Sequence, residues 1–193
     1  MGYINSVKGK ILLGFILAAI VFVSFNGMGN MTHYAMTVWL HVLAGVAWIG
    51  LLYYFNFVQV PAMGEALADT EGPGPAAIGK YVAPRALLWF RMAAATTWIL
   101  GLVLLALQSR GMDGIIGAFT FAQGYQVIGI GAWMGTIMAF NVWFIIWPNQ
   151  QKILGMKPAS EGEVATAKKN AALASSINVI LSVPMLLTMI AWH

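Results

Sequence analysis

The chain contains no cysteine. That excludes disulfides, thiolate chemistry, iron–sulfur ligation and covalent c-type haem attachment through a CxxCH motif. Charge is scarce as well: 8% of the 193 residues are charged, against about 25% in an ordinary soluble domain. Only six residues are acidic, and none lies inside an apolar run, which argues against a proton-pump relay and against carboxylate-assisted hydrolysis. No polar stretch is long enough to form a separate soluble module, and no inverted repeat of the transporter kind is visible. The basic residues fall in loops between apolar segments rather than along one stripe, so nucleic acid is not an expected partner.

What is present is apolar. Hydrophobic residues make up 60% of the chain, mean hydropathy is +0.79, and the runs reach the roughly 20 residues needed to cross a bilayer. The expected fold is an all-α transmembrane helical bundle of five spans, forming one membrane domain over 1–193 in a lipid bilayer. The spans are expected near 11–25, 34–57, 86–107, 124–147 and 171–192. The N-terminal MGYINSVKGKILLGF resembles a signal peptide but lacks a small-x-small cleavage site, and is read as a retained first span. Asn26-Gly27-Met28-Gly29-Asn30 forms a turn cluster. Pro61 is expected to bound the second span and Pro148 the fourth. Short helices are expected near Met63–Leu67 and Ile115–Gln123.

Charge sets the expected orientation. Loops on the N-terminal face carry Lys8, Lys10, Lys80, Arg85, Lys152, Lys157, Lys168 and Lys169, while the other face has Arg110 balanced by Asp113. By the positive-inside rule the N-terminus is cytoplasmic and the C-terminus extracytoplasmic. The expected location is a bacterial inner membrane, with the chain crossing it several times.

That orientation places the three histidines, His33, His41 and His193, toward the extracytoplasmic side. His41 stands inside the run WLHVLAGVAWIGLLYYFNFVQV, and an ionisable group within a span is a functional candidate by default. His41, Gly45, Trp48 and Leu52 recur at helical spacing and share a face. Gly45 leaves room there for a flat partner, either a neighbouring helix or a planar cofactor. Two histidines from different helices on one side of the bilayer suit a bis-histidine b-type haem; copper or zinc is the alternative for three. His41 and His193 are the candidate axial ligands, and His33 is placed to cap a propionate. Arg91 either snorkels to the headgroups or serves as counter-charge for a bound anion or quinone head. Asn56, Gln126, Asn141 and Asn178 are expected to make interhelical hydrogen bonds, and the stripe Gly131, Gly135, Ala139 to allow close helix approach.

Several blocks together resemble a known family. WLHVLAGVAWIG followed by YYFNF, then WFR and TTW, then GAWMGTIMAFNVWFIIWPNQQKILG and NVILSVPMLLTMIAWH are similar to the membrane domain of the PuuD-type urate hydroxylases. That group is also called the urate oxidase N-terminal domain family. The resemblance implies an inner-membrane protein tied to urate oxidation and the respiratory chain, in a short form without the fused cytochrome c. A separate cytochrome c or a quinol-linked enzyme is then the implied partner, within a homo- or hetero-oligomer. Arg91, His41 and His193 match family positions. Leu88, Gly129 and Ile177 stand where larger members carry histidines, and Ala93 where they carry an acidic residue. The expected function is a membrane cytochrome-like protein that binds haem b and transfers electrons, whether or not it is itself an enzyme. The alternative is a non-catalytic structural subunit of a larger membrane complex.

Overall fold

A computed structural model describes residues 6–25, 32–108 and 111–192. All regular structure among them is helical. α1 is Val7–Phe25, α2 His33–Tyr54, α3 Val60–Ala68, α4 Ala83–Gln108, α5 Met112–Phe119, α6 Gln126–Phe140, α7 Trp147–Ile153 and α8 Glu161–Ala191. Five helical stretches are long and apolar enough to cross a membrane: Val7–Ser24, His33–Ala68, Ile78–Gln108, Gln126–Ile153 and Glu161–Ala191. The chain divides into two compact units, Met1–Met36 and Thr37–His193. The first contains α1, which from Ile11 to Val23 is apolar on every side, as suits a lipid-facing helix.

In the second unit three helices run on past the expected ends. Pro61 and Pro148 lie inside continuous helical stretches instead of ending them. The reason is a repeated local device. π-helical turns cover Phe55–Gln59, Ile78–Val82 and Asn141–Ile146, and each ends two residues before a proline: Pro61, Pro84 and Pro148. A proline inside a helix lacks the N–H its position calls for, and its ring presses on the carbonyl four residues back. A widened turn moves that carbonyl aside and lets the helix continue. The surface helix expected near Met63–Leu67 is thus α3, the continuation of α2. α8 starts earlier than its apolar run because Ser160 and Glu163 form a reciprocal capping box.

Neighbouring long helices of this unit are antiparallel. α2 meets α4 through His41 with Thr97, and the π turn after α2 meets it through Phe55 with Phe90. α4 meets α6 through Trp98 with Thr136, and the following π turn through Arg91 with Trp143. The most extensive pairing is α6 with α8. The core lies among these four, with Trp48, Leu52, Phe90, Met138 and Val142 almost wholly buried. Lys152 pairs with Glu163 at 3.3 Å, tying the end of α7 to the start of α8.

Small residues make the α6–α8 approach possible. Gly131, Gly135 and Ala139 are all buried. A methyl group on Gly131 would come within 2.6 Å of Thr188 Oγ1, and one on Gly135 would touch Met185 Sδ at 3.6 Å. The expected stripe is therefore used inside the chain, against α8. α5 is the short helix foreseen near Ile115. It is tied down by indoles: Trp133 Nε1 donates to Phe119 O at 3.1 Å, and Trp192 Nε1 donates to Gly124 O just beyond it at 2.9 Å.

Candidate functional site

His41 is half-buried on α2, and its imidazole is directed at α4. Nδ1 lies 2.9 Å from Thr97 O. A carbonyl only accepts, so the proton of this bond sits on Nδ1, and the neutral ring keeps its lone pair on Nε2. The ring packs on Gly101: a methyl group there would sit 3.2 Å from His41 Cε1. One turn along α2, Gly45 faces the Thr97 methyl, 3.7 Å from where its own Cβ would be. His41 and Gly45, on the shared face with Trp48 and Leu52, thus meet α4. Thr97 is the partner that sequence spacing did not reveal. Gly101, a small residue in an otherwise bulky stretch of α4, is the signal that could have marked the contact.

The other candidates are dispersed. His33 is exposed at the first position of α2. His193 lies outside the described residues. Trp48 is 1% exposed, and its Nε1 has no hydrogen-bond partner. Arg91 places its guanidinium carbon 3.6 Å from the centre of the Trp147 ring, a close cation–π contact. Its backbone carbonyl accepts from Trp143 Nε1 at 3.1 Å, while its Nη1 is buried without a partner. Among the described residues, no three His, Asp or Glu side chains gather so as to hold a metal ion.

A second polar constellation runs along α8. Ser175, Asn178 and Ser182 share one face. Tyr53 Oη and Ser182 Oγ are 2.8 Å apart. Asn56 Nδ2 donates to Ser175 Oγ at 2.8 Å and to Leu52 O at 2.7 Å. Asn141 Nδ2 donates to Asn178 Oδ1 at 2.9 Å, and Asn178 Nδ2 donates to Met138 O at 3.0 Å. Asn56, Asn141 and Asn178 therefore make the interhelical bonds expected of them. Gln126 does not, since its Oε1 accepts locally from Gly124 N at 2.9 Å. Tyr53, Ser175 and Ser182 were not anticipated, although the spacing of the serines around Asn178 was visible.

Chemically, His41 has the donor arrangement of an axial ligand. Ligating histidines commonly donate their other ring N–H to a backbone carbonyl, which fixes the tautomer and orientation. One ring with that arrangement is what the described residues offer to a haem. Gly129, at a position where the resemblance implies histidine, is closed to side chains. A methyl group there would meet the Ala118 carbonyl oxygen at 2.3 Å. That backbone-to-backbone approach seats α6 on α5, so the glycine has a packing reason of its own. Leu88 and Ile177 are exposed, at 45% and 38%.

Comparison with known proteins places part of this architecture. Residues 115–193 match the family described as urate oxidase N-terminal. The match starts within α5 and runs through α6, α7 and α8, less than half of the chain. It points to distant kinship with that family's fold. No curated protein matches, and no solved structure matches. The matched segment holds the α6–α8 pairing and its asparagines, and His41, Arg91 and α4 lie outside it.

Proposed function

We propose that the chain is a non-catalytic helical subunit of a larger membrane complex, acting through helix contacts. The observation that carries this reading is how its intramembrane polar groups are used. Asn56, Asn141 and Asn178 bond between helices or to backbone inside the bundle, and His41 engages the Thr97 carbonyl through Nδ1. Polar groups so engaged hold a scaffold in one arrangement. The subunit would sit N-terminus inward, with the lysine-rich ends in the cytoplasm, in line with the positive-inside rule.

Purification in mild detergent from the native membrane, with haem supply ample, tests this reading. The expected result is a colourless chain migrating with partners at a mass well above its own 20.8 kDa. A Soret band that vanishes in His41→Ala would overturn it.

A second reading is favoured by one observation, the Nδ1–H of His41 held on a carbonyl with Nε2 left as the acceptor nitrogen. On that reading the chain is a relative of the urate hydroxylase membrane domains and holds haem b through His41. The second ligand would be His193 or a histidine of another copy. Haem, when bound, would supply the electron transfer. The chain would orient the axial ring through Thr97 and offer Arg91 as a cation for an anionic group. A quinol-linked enzyme or a separate cytochrome c would be the redox partner.

A further inference from the structure

A groove opens on the outer side of the α2–α4 pair, near the start of α4. It is a shallow, open depression of about 380 Å³, lined by Leu51 and Tyr54 of α2, Tyr81 and Val82 of the π turn before α4, and Arg85, Ala86 and Trp89. Its walls are almost entirely hydrocarbon and aromatic. The exceptions stand at one end. Arg85 is exposed and uses one donor on the Tyr81 carbonyl, which leaves most of its guanidinium N–H groups for another acceptor. Lys80 is exposed beside it, with Nζ 5.4 Å from the centre of the Tyr81 ring. Among the described residues neither cation has a carboxylate in ion-pair range. The same end of the unit carries Lys152, Lys157, Lys168 and Lys169. Tyrosine and tryptophan beside arginine mark the level of the headgroups.

We propose that this groove is a binding site for an anionic phospholipid, with its phosphate on Arg85 and Lys80 and an acyl chain along Leu51, Val82 and Ala86. The fit is one of chemistry to position. An apolar trough takes a chain, and Arg85 in its lining, with Lys80 over the Tyr81 ring that also lines it, has no carboxylate partner among the described residues and so suits an anion. A zwitterionic lipid also brings a phosphate, but its choline sets a further positive charge beside Arg85 and Lys80, so a headgroup of net negative charge is favoured. The site is independent of whether the chain carries haem.

Native mass spectrometry of the purified full chain tests the proposal. The protein is offered equal amounts of phosphatidylglycerol and phosphatidylcholine with identical acyl chains. The wild type should retain phosphatidylglycerol over phosphatidylcholine by about fivefold or more, the factor expected for a juxtamembrane cation near an anionic headgroup. Arg85→Gln together with Lys80→Gln should bring the ratio to parity, and Ala86→Trp, which fills the trough, should lower retention of both lipids. Lys169→Gln, which changes an exposed cation on α8, should leave the ratio unchanged. Equal retention by the wild type would overturn the site, as would a preference that survives in the double variant. Loss of the preference on adding soluble glycerol phosphate would reassign the cations to a free phosphate and overturn the lipid. Should the double variant fail to fold by circular dichroism, Ala86→Trp and the glycerol phosphate competition decide the matter.

Discussion

The two helix pairs at the heart of the larger unit are built differently. α6 and α8 approach through glycines and are joined by a buried asparagine pair that also engages the Met138 carbonyl. α2 and α4 also meet through glycines, Gly45 and Gly101, but their polar link is one half-buried ring on one carbonyl. In lipid, apolar surface gives helices little reason to associate, so packing and hydrogen bonds decide the pairing. The first contact is therefore rigid and fully engaged. The second rests on one ring nitrogen, Nδ1, and leaves Nε2 outside the contact.

Substitutions can break that contrast, and the largest effect is expected where backbone meets backbone. Gly129→Ala drives a methyl group into the Ala118 carbonyl, and overpacking of that kind should cost about 3 kcal/mol in reversible unfolding from mixed micelles. Asn178→Leu is expected to follow. It strands Asn141 Nδ2 beside a residue that is itself 0% exposed, at a cost of about 2 kcal/mol in the same assay. A double-mutant cycle on Asn141 and Asn178 should then show coupling of about 1 kcal/mol.

The α2–α4 contact should yield less. His41→Leu removes one bond to Thr97 O, and a typical interhelical bond in lipid predicts a loss of about 0.6 kcal/mol. A much larger loss would mean that the ring does more for the fold than one contact accounts for. Gly101→Ala is the mildest change. Its methyl group meets His41 Cε1 at 3.2 Å, so the ring must shift by a few tenths of an ångström. A clear change in the His41 ring resonances by NMR, with stability nearly unchanged, is the expected outcome.

Much of the class was legible in the residues, because it depends on counting over each segment. Apolar runs of spanning length forecast the five long helices, and the Gly131 stripe and three of the four polar span residues forecast their roles. The helix ends near 25, 34, 107, 124 and 192 were legible to within two residues, whereas the opposite ends, two of them expected at prolines, were not. Pro61 and Pro148 are local stop signals, and only the widened turns before them show how the helices continue. The use of Trp98, Trp133, Trp143 and Trp192 as indole donors to neighbouring elements was also hidden. An indole reads the same in sequence whether it faces lipid or a carbonyl.

The sequence by itself determined that this is an all-helical chain of membrane-spanning character, since hydropathy and the lack of charge act segment by segment. It also singled out His41 as the ionisable group to follow. The tertiary structure decided what that residue meets. Helix rotation and register aim the ring at Thr97 and Gly101 of α4, and three π turns reset the register along the helices that carry the site. Those are relations between segments far apart in the chain, which no local pattern encodes.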